Sequence, residues 1–373
     1  MNESITRLIV SLDLGASASK GMYSIEDSSK KSINLMLMEP EIAKVPILLL
    51  EEEELFDTKP ENAAWISHKA KDKEGVAVGT SAKKYVLAGE QIESVKYEFA
   101  TDKCLAFIGA IAAKHGITEN KLEIVLNLLI PSDEKQSKRV LEKNLTNRLK
   151  NFYFKGEAVS CNLSEFNLQV EGTGGLSYLF EQNGECDSKT YVVLMLGHRN
   201  CSCLVFDKGS FVNDSVRLGY FDYIQNIKQR SIGQNLEALE FTMPKVDNNP
   251  NDLDFWIDTL IRGNLSSNQK EEKLKLINAI EIARKLHWEK ISNWLDAKVP
   301  ERLDEILIFG GASFGLRKEL SKKFSWIEKI NWGEEIIAEL EEFSVEESIQ
   351  PTIHRFTDVY GLHKQYSFLE IKN

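Results

Sequence analysis

The chain has 373 residues, of which 42% are hydrophobic and 28% are charged. At roughly 150 residues per domain this length predicts two to three domains, and the composition excludes wholesale disorder, a collagen repeat and a disulfide-stapled miniprotein. Forty-six basic against 57 acidic residues give a formal net charge of −11, which argues against direct nucleic-acid binding unless the basic residues are segregated on one face.

The sequence gives no sign of a membrane or secretory segment. The longest fully apolar run, residues 104–113, is far shorter than the roughly 20 residues of a membrane-spanning helix. The N-terminal sequence lacks the basic region, apolar region and cleavage site of a signal peptide. Five cysteines, an odd number without a CxxC pair, favour a reducing compartment. We therefore expect a cytoplasmic protein without a membrane span.

The predicted elements begin with a strand. The apolar run 8–14 is typical of a central strand covered on both faces, and it ends at Gly15 in a turn of small residues before Lys20. Further β segments are predicted at 21–25, 33–38 and 43–50. Four consecutive acids at 51–54 and the charged segment 59–75 then predict an exposed loop or insertion.

Helices and strands alternate through the next part of the chain. The predicted elements are a helix at 105–113, a strand at 121–130, a helix at 140–152 and β-like segments up to residue 170. Pro131 ends the strand abruptly, and Ser132 is an N-cap candidate for the helix that follows. The polar, turn-rich segment 182–189 then predicts a domain boundary.

The second half of the sequence begins with the same order of predicted strands as the first half. An apolar strand at 191–196 breaks at Gly197, and strands at 201–206 and 210–216 follow at hairpin distance. Gly15 and Gly197 lie 182 residues apart, which indicates weak repetition of whole domains. The remaining predicted elements are helices at 222–229, 236–241, 250–261, 268–295, 316–324 and 336–343, a buried strand at 305–309 and a helical tail at 358–367. Strands alternating with helices predict an α/β architecture.

The first glycine turn has the composition of a phosphate clamp. Small side chains at Gly15, Ala16 and Ser17 let backbone N–H groups approach phosphate oxygens. Lys20 can supply a positive charge to a phosphate, and Asp13 can hold a hydrated Mg²⁺. The alternative is an ordinary tight hairpin with a solvated lysine, and the turn taken alone favours that alternative.

Two more glycine turns follow apolar strands. One lies between a buried strand and a helix, where it allows close approach of a flat ligand such as adenosine; its residues are Gly310, Gly311 and Ala312. The other is the second hairpin turn, which offers backbone amides and a guanidinium to phosphates; its residues are Gly197, Arg199 and Asn200. For each turn the alternative is a plain connector, because glycine is common there.

Glu134 follows a strand end and a proline, where its carboxylate can orient a water molecule for attack on a γ-phosphate. The alternative is an acid at a helix start that interacts with the helix dipole. Position alone favours the alternative.

Taken in this order, the turns resemble the actin-like ATPase superfamily, which includes actin, the heat-shock 70 ATPase domain and sugar kinases. Its first hairpin is usually D-x-G-x-x-x-x-K, which Asp13, Gly15 and Lys20 match, and its adenosine turn is usually G-G, which Gly310 and Gly311 match. The resemblance implies an α/β fold of two related, ribonuclease H-like domains that flank a nucleotide cleft for ATP or GTP with Mg²⁺. The implied domains are 1–182, onto which the tail 350–373 packs, and 183–349.

The details are most similar to plasmid-segregation actins of the ParM type. In those proteins a strand runs into L-P-x-x-E, which the sequence Ile-Pro-Ser-Asp-Glu at 130–134 resembles, with Glu134 at the catalytic acid. Their second hairpin is followed by a G-x-x-x-L/I-x-x-I helix, which 219–224 resembles. Residues 357–361 look like a variant of their A-N-x-x-G motif.

One departure from the superfamily affects the second phosphate turn, normally D-x-G-x-T/S-T. Met195 stands at the aspartate position, and Arg199 and Asn200 replace the hydroxyl donors. Methionine cannot organise metal-bound water, whereas Arg199 can bind phosphate directly. We therefore expect nucleotide binding with slow ATP hydrolysis.

The resemblance implies a polar filament that assembles head to tail from copies of the chain. It also implies plasmid or DNA segregation through a small basic DNA-binding adaptor, without direct contact with nucleic acid. Three alternatives stay open. They are a cytoskeletal scaffold filament with weak or lost ATPase, a small-molecule kinase of the same superfamily with Asp133 as its base, and a catalytically inactive α/β binding module.

Overall fold

The computed structural model describes most of the chain, namely residues 6–27, 30–53, 59–87, 91, 94–117, 122–184, 188–231, 233–263, 265–343 and 346–368. Parts of three predictions lie outside the described residues: residue 54 of the acidic run, residue 121 of the strand 121–130, and residues 185–187 of the boundary. The chain divides into two compact units. The first is Met1–Glu185 together with Gly333–Asn373, and the second is Cys186–Trp332.

The elements alternate between strands and helices in both units. The first unit begins with β1 (Thr6–Leu14), β2 (Ser19–Asp27), β3 (Lys30–Met38), β4 (Ile42–Pro46), α1 (Ile47–Glu53), β5 (Trp65–Ser67), β6 (Glu74–Val78), α2 (Thr80–Lys83), α3 (Lys96–His115), β7 (Leu122–Ile130), α4 (Lys138–Leu149), β8 (Phe152–Phe154), β9 (Glu157–Val159), β10 (Cys161–Val170) and α5 (Thr173–Asn183). The second unit contains β11 (Thr190–Leu196), β12 (Cys201–Asp207), β13 (Ser210–Val216), α6 (Tyr220–Arg230), α7 (Leu236–Asn248), α8 (Leu253–Asp258), α9 (Ser266–Lys298), β14 (Glu305–Phe309), α10 (Arg317–Lys323) and β15 (Lys329–Asn331). The chain returns to the first unit with α11 (Glu334–Glu341) and α12 (Thr357–Phe368). The segments Ser132–Ser137, Pro250–Asp252 and Gln350–Phe356 are 3₁₀ helices.

The core of the first unit is a five-stranded sheet with the order β10-β7-β1-β2-β3. The central strand β1 runs antiparallel to β2 and parallel to β7. Helices α3 and α12 both contact β1, and the side chains of Leu8, Val10 and Leu12 are fully buried. An apolar run with no alternation is what a strand covered on both faces requires, so the prediction of a central strand here is confirmed.

The sheet of the second unit repeats this topology. Its order is β13-β12-β11-β14-β15, with β11 antiparallel to β12 and parallel to β14. The two hairpins also share their register, because Asp13 pairs with Lys20 and Met195 pairs with Ser202. Each position of the first turn therefore corresponds to the position 182 residues later in the second turn, as Gly15 corresponds to Gly197. The predicted repetition of whole domains is confirmed.

A second sheet in the first unit, β4-β6-β5-β8-β9, corrects two predictions. The charged segment 59–75 is not simply an exposed loop, because it contains β5 and the start of β6, and the side chain of Trp65 is 2% exposed. The predicted strand 43–50 ends at Pro46, and α1 follows. Proline ends strands readily because it lacks the N–H that a ladder needs, and leucine is a good helix former.

The start of α4 also differs from the prediction. Ser132 opens a 3₁₀ segment and makes no capping hydrogen bond, and α4 begins six residues later at Lys138. Among the described helices, none combines the length and the apolar character that crossing a membrane requires.

The C-terminal helix packs on α5 with backbone in contact with backbone. A Cβ added to Gly174 would lie 1.8 Å from the carbonyl oxygen of Asp358, and one added to Gly361 would lie 2.0 Å from the carbonyl oxygen of Gly174. Both positions therefore require glycine. The helix α12 and the start of α5 are held together by this contact.

The chain after Trp332 belongs to the first unit, whereas the sequence placed residues up to 349 in the second domain. Glu339 on α11 explains the difference. Its carboxylate accepts hydrogen bonds from the hydroxyls of Tyr178 at 3.0 Å and Tyr360 at 2.5 Å, and from the ammonium of Lys364 at 3.2 Å. These donors lie on α5 and α12, so α11 is bound to the first unit.

We expect Gly174→Ala to lower the free energy of unfolding by about 1–3 kcal/mol, because the new methyl group collides with backbone that cannot move aside. Gly311→Ala is the matched control, since a Cβ at Gly311 meets nothing within 4 Å; its effect should stay within about 0.5 kcal/mol. Urea unfolding of the full chain measures both. Equal stability of the two variants would contradict the backbone contact.

Candidate functional site

The turn between β1 and β2 holds a buried ion pair. The hairpin register places Asp13 opposite Lys20, and the ammonium of Lys20 contacts the Oδ2 atom of Asp13. A Cβ at Gly15 would lie 2.7 Å from the carbonyl oxygen of Ala18 and 3.4 Å from the Nζ atom of Lys20. The turn therefore requires glycine at this position, and the two charges lie next to the half-buried backbone of Gly15.

Lys96, which the sequence analysis did not single out, completes the cluster. It is the first residue of α3, and its Nζ atom lies 2.6 Å from the Oδ1 atom of Asp13 and also contacts Oε1 of Glu171. Burial alone would raise the pKa of Asp13, but Lys20 and Lys96 outweigh burial and hold that pKa far below its usual range. Burial would lower the pKa of Lys96, but Asp13 and Glu171 outweigh it and raise that pKa. Both groups are therefore charged at neutral pH.

Glu171 lies directly after β10, at the start of α5, and Asp358 from α12 caps the same helix. The Oδ2 atom of Asp358 accepts a hydrogen bond of 2.6 Å from the amide of Gly172, and Oδ1 accepts one of 3.2 Å from Gly175. Burial raises the pKa of Asp358 to about 7, with a smaller contribution from the charge of Asp13. The hydroxyl of Thr173 is buried without a hydrogen-bond partner among the described residues.

A third cation comes from the tail. The Nη2 atom of Arg355 donates a hydrogen bond of 2.5 Å to the hydroxyl of Ser17. Burial lowers the pKa of the guanidinium, and it also lowers the pKa of the adjacent His354 to about 4. Ser17 and Ala16 are half-buried in the first turn. The predicted turn residues and Arg355 thus lie together in the first unit.

Glu134 contacts the start of α3. Its Oε2 atom accepts a hydrogen bond of 3.0 Å from the amide of Tyr97, the second residue of α3. The carboxylate thus satisfies an unpaired amide at a helix start. By fixing this start, Glu134 also fixes the adjacent Lys96. The carboxylate that shares a cation with Asp13 is Glu171.

In the second unit, the two positions that correspond to Asp13 and Lys20 carry uncharged residues. Met195 is opposite Ser202, at the positions of Asp13 and Lys20 in the repeat. The amide of Gly197 donates to the carbonyl oxygen of Asn200 at 2.9 Å, and the side-chain oxygen of Asn200 is buried without a hydrogen-bond partner among the described residues.

The backbone of this turn is bound to α6. The amides of Gly219, Tyr220 and Phe221 donate to the carbonyl oxygens of Arg199, Gly197 and His198, at 3.0, 3.1 and 2.8 Å. A Cβ at Gly219 would lie 2.3 Å from the carbonyl oxygen of His198. The position of the turn therefore depends on the glycine before α6.

The turn after β14 packs against the end of β11. Gly310 has a φ of 101°, and a Cβ there would lie 2.4 Å from the carbonyl oxygen of Leu196. The same oxygen accepts a hydrogen bond of 3.0 Å from the amide of Ala312. A Cβ at Gly311 would meet nothing within 4 Å, so Gly310 is required by packing and Gly311 leaves an open surface.

A small cavity of about 10 Å³ adjoins this turn. Its lining includes Tyr220, Tyr223, Asp247, Arg284, His287 and Ala312. Asp247 forms an ion pair with Arg284 and accepts a hydrogen bond of 2.5 Å from the hydroxyl of Tyr220. Burial raises the pKa of Asp247, although Arg284 opposes that shift. Residue spacing in the sequence gave no sign of this group, because its members come from three separate helices.

No protein-family model matches the chain, and no curated protein matches it in sequence. Solved structures do match it. The actin-like protein Alp7A has a TM-score of 0.61 at 15% identity, over 99% of this chain and 97% of that one. A ParM filament from Clostridium botulinum has a TM-score of 0.58 at 14% identity, over 97% and 100%. Bacillus thuringiensis ParM with ATP has a TM-score of 0.53 at 14% identity, over 98% and 100%. The chain thus has the actin-like, ParM-type α/β fold that its sequence predicts.

We expect Asp358 to contribute a loss of stability to the wild-type chain as the pH rises from about 5 to 7. The pKa of Asp358 is raised from 3.8 to about 7 on folding, so in this range the folded state holds a proton that the unfolded state has lost. This contribution to stability then decreases with pH, by up to about 1.4 kcal/mol per pH unit for one proton. The loss is complete once the pH has risen past the folded pKa of Asp358.

Urea unfolding at a series of pH values measures the effect against Asp358→Asn, which has no carboxyl proton to lose. The free energy of unfolding of Asp358→Asn should not show the decrease with pH that the Asp358 carboxyl causes. Glu142→Gln, at an exposed position of α4, is the control and should keep the wild-type profile. Identical profiles for wild type and Asp358→Asn would contradict the raised pKa.

Proposed function

We propose that this chain is a nucleotide-binding actin homologue that assembles into polar filaments and segregates DNA through a basic adaptor. The observation that carries the proposal is the group of cations beside the first glycine turn, of which Lys20 is buried and Lys96 and Arg355 are half-buried. Lys20, Lys96 and Arg355 are brought there from three distant parts of the chain. Burying cations is costly unless anions compensate them, and a polyphosphate is an anion of the right kind for a glycine turn.

Each unit has its own candidate nucleotide-binding turn in this proposal. In the first unit, Lys20 and Arg355 lie beside the turn at Gly15 and can bind phosphates. In the second unit, the open backbone of Gly311 can contact a nucleoside, next to the cavity that Tyr220 and Tyr223 line. The ATP bound to the similar Bacillus thuringiensis ParM supports ATP as the nucleotide to test first.

Hydrolysis is slow in this proposal, and its water-orienting residue is Glu171 rather than Glu134. Glu171 shares the Lys96 ammonium with Asp13, whereas Glu134 binds the amide of Tyr97. A carboxylate already bonded to an ammonium is a weak base. Slow turnover also supports the second candidate, a scaffold filament whose assembly does not depend on rapid hydrolysis.

Self-association and the adaptor are the finer parts of the proposal. The similar ParM from Clostridium botulinum forms a filament, and a chain with a net charge of −11 attracts a basic partner more readily than DNA itself.

Asp133, the base that a small-molecule kinase would need, is exposed on a 3₁₀ segment.

Negative-stain electron microscopy of the purified chain, with and without ATP, tests the proposal. We expect filaments that require nucleotide. Lys20→Met should bind ATP roughly tenfold more weakly, because a charge-assisted contact to phosphate is worth about 1.5–3 kcal/mol, and should form filaments only at higher ATP.

Lys138→Met removes an exposed lysine from α4 and is the control that should assemble like wild type. Filaments that ignore nucleotide would favour the scaffold candidate. The absence of both ATP binding and filaments would overturn the proposed function.

A further inference from the structure

The actin-like fold implies a Mg²⁺ ion beside Asp13, but the residues around Asp13 do not fit one. Its Oδ2 atom contacts the ammonium of Lys20, and its Oδ1 atom lies 2.6 Å from the ammonium of Lys96. Mg²⁺ takes oxygen ligands and keeps several water molecules. A protonated lysine offers no lone pair and repels a cation, so both carboxylate oxygens already have positive partners.

The neighbouring acid is engaged in the same way. Oε1 of Glu171 contacts the same Lys96 ammonium that Asp13 contacts. The pKa of Lys96 is raised, because the two carboxylates outweigh the effect of burial, and the lysine keeps its charge. Among the described residues, no three His, Cys, Asp or Glu side chains are grouped so that they could hold a metal ion.

The hairpin of the second unit has no carboxylate at the two positions that correspond to Asp13 and Lys20. Met195 and Ser202 stand where the repeat has Asp13 and Lys20. A thioether is a soft ligand that does not suit Mg²⁺. The two hairpins therefore depart from metal binding in different ways, one by neutralising its carboxylate and the other by lacking a carboxylate.

The formal charges favour a polyphosphate without a metal. Lys20, Lys96 and Arg355 face the carboxylates of Asp13 and Glu171, which leaves a net charge of +1 before Asp358 is counted. If the Lys96 ammonium were removed, two carboxylates would balance the remaining two cations. The Glu171 carboxylate would then lack the Lys96 ammonium and would repel an incoming phosphate. A divalent cation would be needed to offset this repulsion between the two anions.

We propose that the Lys96 ammonium is a built-in replacement for the divalent cation, so that this chain binds nucleotide polyphosphates without Mg²⁺. The inference rests on the proposed nucleotide binding and specifies its ligand: the metal-free polyphosphate. Lys96 acts as a binding and positioning residue, and no chemical step is assigned to it.

The experiment measures the affinity of the full chain for a fluorescent ATP analogue in EDTA and in excess Mg²⁺. For wild type we expect the two dissociation constants to agree within about threefold. For Lys96→Met we expect affinity in EDTA to fall roughly tenfold or more, as for loss of one charge-assisted contact, and Mg²⁺ to restore much of it. Appearance of a Mg²⁺ requirement is a change that mere loss of packing would not cause.

Three further variants sharpen the result. Lys96→Arg keeps the charge and should bind in EDTA like wild type. Lys96→Gln keeps a hydrogen-bond donor without the charge and should behave like Lys96→Met. If thermal unfolding shows that Lys96→Met does not fold, Lys96→Gln is used in its place. Lys138→Met, at an exposed position, is the matched lysine control and should not change either constant.

The outcomes separate the two proposals. If wild type binds only with Mg²⁺, or if Lys96→Met and Lys96→Gln show no greater Mg²⁺ requirement than wild type, the inference about Lys96 is wrong while nucleotide binding stands. If wild type binds no nucleotide in either condition, the proposed function fails and the inference fails with it.

Discussion

The shared contact of Lys96 with Asp13 and Glu171 is the constraint on which the candidate site depends. The strands β1, β7 and β10 are parallel, so their carboxyl ends meet at one edge of the sheet and bring Asp13 and Glu171 together there. Two buried carboxylates repel each other strongly unless cations lie between them. Lys96 supplies that charge from the start of α3, and Glu134 holds this start in place through the amide of Tyr97.

The repeated hairpins combine one backbone plan with two different sets of side chains. Both turns have the same length and register, but the first carries the ion pair of Asp13 and Lys20 and the second carries Met195 and Ser202. The two strand positions that face each other are therefore charged in the first unit and uncharged in the second. In the second unit the turn at Gly310 packs its backbone directly against the end of β11, beside a cavity that tyrosine, aspartate and arginine side chains line.

The sequence predicted the central strands and hairpin turns well, because a strand buried on both faces must be a continuous apolar run. It missed Lys96, Glu171 and Arg355, since each is a single charged residue whose partners lie far away along the chain and no local spacing marks it. Asp358 lies in the motif variant 357–361, but the sequence did not indicate that it caps α5. The segment 59–75 was misread for a related reason. Most of its charged residues are exposed, although Glu61 is buried, while Trp65 and Ile66 are buried. A strand of three residues is too short to show alternation. The site depends on tertiary contacts that composition does not encode.

The division of the first unit into two stretches, Met1–Glu185 and Gly333–Asn373, has a consequence for synthesis on the ribosome. The second unit is one continuous stretch, so all of its strands have emerged before α12 is made, and it can fold first. The first unit must wait, because the cap of α5 and the cation bonded to Ser17 both come from the last stretch. A nascent chain therefore cannot complete the contacts of Ser17 and of the start of α5 until the stretch Gly333–Asn373 has been made.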